Sequence, residues 1–490
     1  MDEKGLKNFF RRYWLAIVLS VAFLLRLPSL LEPLSYGDEA IYLTLGQAIR
    51  KGLLLYRDIY DNKPPLLYLL AAIAGNLFWF RFILTIFCLT AIVVMSKLIE
   101  TVFPKSPSAK TVGTTLFALI ISLPTVEGII ANSEIFQILP TVTGVCLVVQ
   151  EKVKTKNWFF AGLLFSLAIL FKIPAIFDFA AVVAFLVFFT PKKRFNFPGQ
   201  LLVLATGFLL PLAASCLYFG IHHQLRLFSQ VAFMQNLGYL SSWKTGTHTF
   251  SLANLSRTDF FLKGMFIFSG CFILWWQKAK MKDLPFLAAI WLLFSLFGAT
   301  LSERPYPHYL IQALPSFTLM TAYLLVKKPK AAFFLPLSAI ILVFVVYKRY
   351  HFWYYPALPR YKNFLDFSLG KKDKKAYFSY FNGQLPQIFD LAEQVLASTQ
   401  KNDHLFVWGD DALLYVLTQR LPPTPYVTSY HIIDFNKFEK VASDLQQNLP
   451  RFIIVKRNFG PFPQLEIILR NNYLLVGSQG DYDLFSKRIY

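Results

Sequence analysis

The sequence predicts a polytopic membrane protein: an all-α bundle of about eleven transmembrane helices in residues 1–348, then a small α/β domain, 349–490, outside the membrane. Three observations predict it. Of 490 residues, 55% are hydrophobic and only 16% charged, and the apolar ones are gathered into long runs. Lys and Arg sit in short clusters between those runs, as topology signals do. After residue 348 the composition turns polar. The net charge of +21 would by itself fit a nucleic-acid-binding protein, but clusters confined to the joints between apolar runs form no basic groove.

A membrane-crossing helix needs about 20 apolar residues. The runs that qualify are 13–31, 81–103, 111–127, 134–150, 158–171, 174–190, 199–219, 262–277, 285–301, 308–326 and 332–348, the fifth being short. With these spans the basic clusters at 4–12, 105–110, 152–156, 192–194, 278–282 and 327–330 all fall on one side, which the positive-inside rule makes cytoplasmic. Counting the apolar stretch 64–79 as a further span would flip every later cluster. It is therefore expected to lie in the interface or to dip in and return. The expectation is an integral plasma-membrane protein with a cytoplasmic N-terminus and an external C-terminal domain. The first apolar run is followed by Leu25-Arg26-Leu27-Pro28 rather than a small-residue cleavage site, so it reads as an uncleaved span. Cys88, Cys146, Cys216 and Cys271 all lie in apolar runs and read as core thiols.

The first external loop, 32–79, carries most of the polar chemistry. Ser35-Tyr36-Gly37-Asp38-Glu39 leads into a helix over Ala40 to Lys51, with Ile41, Leu45, Ala48 and Ile49 on one face, expected to lie on the membrane surface and end near Gly52. Tyr56-Arg57-Asp58 and Asp61-Asn62-Lys63-Pro64-Pro65 follow. A second external segment, 220–261, holds His222, His223, Trp243, Lys244 and His248, and a tight turn carries Arg304, His308 and Tyr309. In the tail, 404–408 and 452–455 read as buried strands, 389–398 as a helix, and 473–476 with 482–485 as a closing hairpin around Gln479-Gly480.

Charged side chains near a membrane core are costly, so those present usually have partners or a function. Asp38 and Glu39 follow the first span, Glu134 opens the fourth, Lys63 precedes the proline pair, Lys172 ends the fifth, Asp178 lies deeper in the sixth, and Arg304 and His308 frame the last turn. Bundling is expected to bring them together around one outer-leaflet cavity. Acids facing bases in this way suit a phosphate-bearing ligand and a general base. His222-His223 has no close third ligand, so no metal spacing supports a cofactor, although a divalent ion would be compatible. Asp481-Tyr482-Asp483 copies an Asp-x-Asp but falls in the expected terminal hairpin, and no Gly-rich phosphate loop follows a strand.

Gly37-Asp38-Glu39-Ala40-Ile41-Tyr42, Tyr56-Arg57-Asp58, Asn62-Lys63-Pro64-Pro65-Leu66-Leu67-Tyr68, Ala131-Asn132-Ser133-Glu134, Phe171-Lys172 and Pro307-His308-Tyr309-Leu310-Ile311-Gln312 together resemble the GT-C class of membrane glycosyltransferases. The likeness is to the branch of protein O-mannosyltransferases and aminoarabinose transferases, over roughly residues 13–325. It implies a polyprenyl-phosphate sugar donor, a lipid, protein or glycan acceptor, and inverting transfer on the external face. Carried onto these positions, it implies Asp38 as the general base, Glu134 as a second acid and Lys63 on the donor phosphate. Glu39, Lys172, Arg304, His308 and Tyr309 are further substrate-binding candidates, resting on position more than on motif.

Each candidate also has a structural use. Asp38 can cap the helix behind it, Glu134 can cap its own span, Lys172 can snorkel to the interface, and Asp58 and Asp61 suit turns. Two rival readings stay open: a transporter or flippase of lipid-linked sugars, which would more usually show inverted repeats and broken helices, and a scaffold whose outer domain binds partners.

Overall fold

The structure, a computed structural model, describes residues 3–150, 153–189, 197–238, 259–276, 283–302, 304–327 and 351–488. The expected span 332–348 lies outside them, as do Trp243, Lys244 and His248. The helices in chain order are α1 (Glu3–Leu31), α2 (Gly37–Arg50), α3 (Leu66–Ala74), α4 (Leu77–Val102), α5 (Pro107–Ser122), α6 (Ser133–Phe136), α7 (Ile138–Val148), α8 (Thr155–Phe171), α9 (Ala175–Phe189) and α10 (Phe197–Ile221). Helices Asp259–Trp276, Asp283–Thr300 and Leu314–Lys327 follow, the last entered through a 3-10 turn at Pro307–Ala313. The chain forms two compact units, residues 1–29 with 81–357, and residues 30–80 with 358–490.

The first unit is helical. Among the described residues, four helical stretches are long and apolar enough to cross a membrane: Arg12–Leu31, Leu77–Val102, Gly199–Ile221 and Pro307–Val326. Six further apolar helices are shorter, so the described residues do not reach the expected count of eleven. One expected span, 332–348, lies outside these residues, and another is broken. The apolar run 111–127 is not one helix: α5 stops at Ser122, before Pro124, and the chain turns. The run 134–150 likewise divides between α6 and α7. On α10 the apolar side chains Leu202, Leu209, Leu210 and Leu217 face outward, as they would toward lipid. α8 and α10 meet at backbone distance, because a Cβ on Gly162 would stand 2.0 Å from Leu204 O and one on Gly207 2.0 Å from Phe159 O. Small residues at a crossing are how apolar helices gain dispersion contact without a solvent-driven term.

The second unit holds the only sheet among the described residues. β1 (Leu405–Trp408) pairs parallel with β2 (Phe452–Lys456), β2 antiparallel with β4 (Tyr482–Lys487), and β4 antiparallel with β3 (Tyr473–Gln479), in the order β1-β2-β4-β3. The two expected buried strands and the closing hairpin are therefore present. The tail helix, expected over 389–398, runs Leu385–Ala397. Phe406, Trp408, Ile453, Leu445 and Leu465 are core residues between the sheet and its covering helices.

Residues 32–79, the expected first external loop, belong to this second unit. α3 has nine residues, too few to cross a bilayer, in line with the interfacial or re-entrant expectation for 64–79. α2 corrects the expectation of a helix lying on the membrane surface, for Glu39 through Ala48 are all buried. α3 packs against the side of α2 that carries Gly46, where a Cβ would stand 2.6 Å from Ala71 C, and the tail helix Leu413–Thr418 also packs on α2. The loop is strapped to the tail by Tyr60 N–H, which donates to Pro425 O at 2.9 Å, and by the Lys51 ammonium, 3.3 Å from Gln419 O.

Candidate active site

Each unit holds one cluster of the expected site residues. In the second unit, α2 begins at Gly37 with Tyr36 as its N-cap, so Asp38 lies inside the first turn and is not the cap residue. Its carboxylate faces Lys63, whose Nζ is 3.4 Å from Asp38 Oδ2. Tyr42, one helical turn on, donates its hydroxyl to the same oxygen at 2.9 Å. The Lys63 ammonium also lies 4.8 Å from the centre of the Tyr42 ring, a cation–π contact. The pair remains reachable, with side-chain exposures of 38% for Asp38 and 18% for Lys63. Glu39 is fully buried.

Lys63 is held by its backbone. Tyr56 donates its hydroxyl to Lys63 O at 2.8 Å, and Lys63 N–H donates to Tyr68 Oη at 3.0 Å. Tyr56 takes a left-handed φ of 72°, part of the sharp bend that turns the loop back on itself. Asp58 accepts from Leu54 N–H and pairs with Arg57, as a turn residue would. Asp61 differs from the turn expectation: it is buried and accepts the Tyr68 hydroxyl at 2.8 Å.

In the first unit, Glu134, Lys172, His308 and Tyr309 come together. Lys172 Nζ lies 2.5 Å from Glu134 Oε1, and the other carboxylate oxygen accepts from Ser133 Oγ at 2.9 Å. Helix α6 takes Asn132 as its N-cap, so Glu134 does not cap its own helix. Lys172 is an ion-pair partner, and its Nζ stands 4.9 Å from the centre of the Tyr309 ring. His308 Nε2 is 3.6 Å from Glu134 Oε1. Its ring packs edge-on to Tyr309 at 4.7 Å and stacks on Tyr306 at 5.5 Å. Arg304 is half-buried just before the 3-10 turn that carries His308.

Glu127 is the residue that sequence reasoning missed here. Its Oε2 lies 2.5 Å from His308 Nδ1, and its Oε1 is buried without a hydrogen-bond partner. A carboxylate accepts, so Glu127 fixes the Nδ1–H form of His308 and turns Nε2 toward Glu134. The local fold explains its position. Glu127 adopts a left-handed φ of 56°, and next to it Gly128 passes so close to the end of α5 that a Cβ would meet Ile121 O at 2.2 Å. Buried Arg26 of α1 closes this turn, its Nη1 3.0 Å from Ile121 O and 2.8 Å from Gly128 O. An acid inside an apolar run was the available signal.

Asp178 joins neither cluster through its hydrogen bonds to Trp291 Nε1 (2.6 Å) and Gln312 Nε2 (2.7 Å), which link three elements of the first unit. Asp481 and Asp483 sit at the terminal hairpin, bonded to Gln384 and Ser478 respectively. Among the described residues no group of three or more His, Cys, Asp or Glu could hold a metal ion.

Comparison with solved structures places this architecture. ArnT from Cupriavidus metallidurans, in a crystal structure with undecaprenyl phosphate, superposes over 96% of this chain and 98% of its own, with a TM-score of 0.61 at 11% identity. This chain shares the fold of ArnT, a GT-C glycosyltransferase. The archaeal oligosaccharyltransferase AglB from Archaeoglobus fulgidus, in complex with an inhibitory peptide and a dolichol-phosphate, covers 91% of this chain and 70% of its own at 13% identity, with a TM-score of 0.49. No protein-family model and no curated protein matches the sequence. The GT-C expectation thus holds at the level of fold, while its mannosyltransferase branch stays a reading of the sequence alone.

Proposed function

We propose that this protein is an inverting glycosyltransferase that moves a sugar from a polyprenyl-phosphate donor to an acceptor hydroxyl or phosphate at the outer face of the membrane. The observation that carries the reading is the Lys63 ammonium 3.4 Å from the Asp38 carboxylate, on a loop that leaves both side chains reachable. The ArnT structure is bound to undecaprenyl phosphate, and we assign the same class of carrier lipid to the donor here. Asp38 takes the proton of the acceptor O–H as its oxygen attacks the anomeric carbon. The bond from that carbon to the lipid phosphate breaks with its electron pair, and Lys63 holds the charge that develops on the phosphate.

The first-unit cluster supports a second anion-binding role. Lys172, His308 and Tyr309 present cationic and polar groups around Glu134, which balances and orients them. Within this cluster we assign Glu134 to orienting Lys172 and His308. Glu39, fully buried, serves the packing of α2. The topology consistent with the basic clusters has a cytoplasmic N-terminus and an external C-terminal domain.

Purified protein reconstituted in lipid with labelled polyprenyl-phosphate sugars separates the readings. Label transferred to acceptor supports the enzyme. Label moved across the bilayer without bond cleavage supports a flippase and overturns the assignment. A carrier without either outcome leaves the scaffold reading.

A further inference from the structure

The tail of the second unit contributes a buried histidine to the surroundings of Lys63 that the proposed chemistry does not use. His431 lies on the short helix Ser429–Asp434 and is fully buried. Its Nδ1 is 3.1 Å from Thr428 Oγ1, and its Nε2 is 3.6 Å from Asp61 Oδ1. Tyr60 meets the ring edge-on at 5.1 Å, which leaves it little room to turn. From Asp61 the contacts run on in one direction. Asp61 Oδ2 accepts the Tyr68 hydroxyl at 2.8 Å, and Tyr68 Oη accepts Lys63 N–H at 3.0 Å.

We propose that His431, Asp61 and Tyr68 form a buried relay that sets the backbone at Lys63, and that holding this lysine in register is the part the C-terminal domain plays in transfer. The inference rests on the assignment of Lys63 to the donor phosphate. The three are positioning residues, for they act through Lys63. A neutral imidazole suits the role, since it fills the space beside Asp61 without competing with Lys63 for negative charge. Burial holds the His431 pKa down at about 4, against the opposing pull of Asp61. Burial, with the Asp61 carboxylate next, pushes the Tyr68 phenol up, so its proton stays available to donate to Asp61. A relay of this kind matters because misplacing a reacting charge by about 1 Å can cost about a hundredfold in rate.

The test is a double-mutant cycle on the full-length protein in lipid. Tyr68→Phe removes the hydroxyl and keeps the ring, and His431→Gln removes the imidazole that lies against Asp61 and keeps a polar side chain. Each is expected to lower kcat/KM for the lipid-phosphate donor about tenfold or more. In a Lys63→Ala background the same changes should cost less than about twofold, because their effect runs through the missing ammonium. Additive losses in the cycle indicate general packing and overturn the proposal. A second readout needs no turnover: acetylation of Lys63 by acetic anhydride, followed by mass spectrometry with Lys51 as the internal reference. Release of the relay should raise Lys63 labelling relative to Lys51, and unchanged labelling in both variants overturns the inference. If the wild-type protein transfers no sugar while the labelling shift appears, the relay stands and the transferase reading fails.

Discussion

The two acid–base pairs differ in a way that separates chemistry from architecture. In the second unit, Lys63 and Asp38 stand 3.4 Å apart with 18% and 38% of their side chains exposed. In the first, Lys172 and Glu134 stand 2.5 Å apart with 18% and 4% exposed. A loosely held, reachable carboxylate can exchange a proton with a substrate; a tight pair with one end buried cannot do so without stranding its partner. Exposed pairs contribute about 0–1 kcal/mol to stability, whereas removing one member of a buried pair costs about 3–5 kcal/mol. Asp38 is therefore expected to matter for rate and Lys172 for integrity, although both belong to carboxylate–lysine pairs.

The largest expected effect is on the rate. Asp38→Asn should lower kcat by about 10²–10⁴-fold while donor binding and melting temperature stay near wild type, measured on reconstituted protein. Near-normal turnover would remove Asp38 from the chemistry. Next, Lys172→Ala should destabilise the protein by about 3 kcal/mol by taking the nearest cation from the buried Glu134, seen as a lowered melting temperature in detergent. Lys172→Ala/Glu134→Gln should recover part of that loss, since neither charge then remains to be paired. Third, Lys63→Ala should cost about 10²–10³-fold in rate yet less than about 1 kcal/mol in stability, the reverse of the Lys172 pattern. Equal stability losses for Lys63→Ala and Lys172→Ala would erase the distinction between the two pairs.

How much of this was legible depended on sequence distance. Asp38 and Lys63 stood out because an acid, an aromatic and a Lys-Pro-Pro occur in order within one loop. Glu134, Lys172, His308 and Tyr309 stood out as polar residues where apolar runs end, and they do meet. Glu127 was hidden inside a run read as one span, because hydropathy averages over the proline-started turn that separates it from α5. The periodicity of α2 revealed its apolar face but could not reveal that a tail helix packs on α2, since that contact joins distant parts of the chain. The burial of Asp61 escaped for the same reason: nothing local marks an aspartate that His431, far along the chain, will lie against. The strands and hairpin of the tail were legible because continuous apolar runs and a Gly-centred turn are local signals.

The two buried histidines extend the same contrast. His308 is clamped by Glu127 at 2.5 Å, whereas His431 sits 3.6 Å from Asp61 without a hydrogen bond to it. Burial lowers the His431 pKa from 6.5 to about 4. Between those values the unfolded chain binds a proton that the folded chain refuses. The stabilising contribution of neutral His431 is therefore complete above about pH 6.5, falls as the pH drops, and is fully lost near pH 4. At pH 5 the loss amounts to about 2 kcal/mol. Many carboxylates titrate in the same range, so the wild-type slope alone is not diagnostic. His431→Gln removes this one proton-binding group and leaves the others, so the wild-type protein should lose more melting temperature between pH 7 and pH 5 than the variant does. Parallel curves for the two would mean that water or an unsuspected partner already solvates the imidazole, and that the second unit is looser around Lys63 than the first is around Lys172.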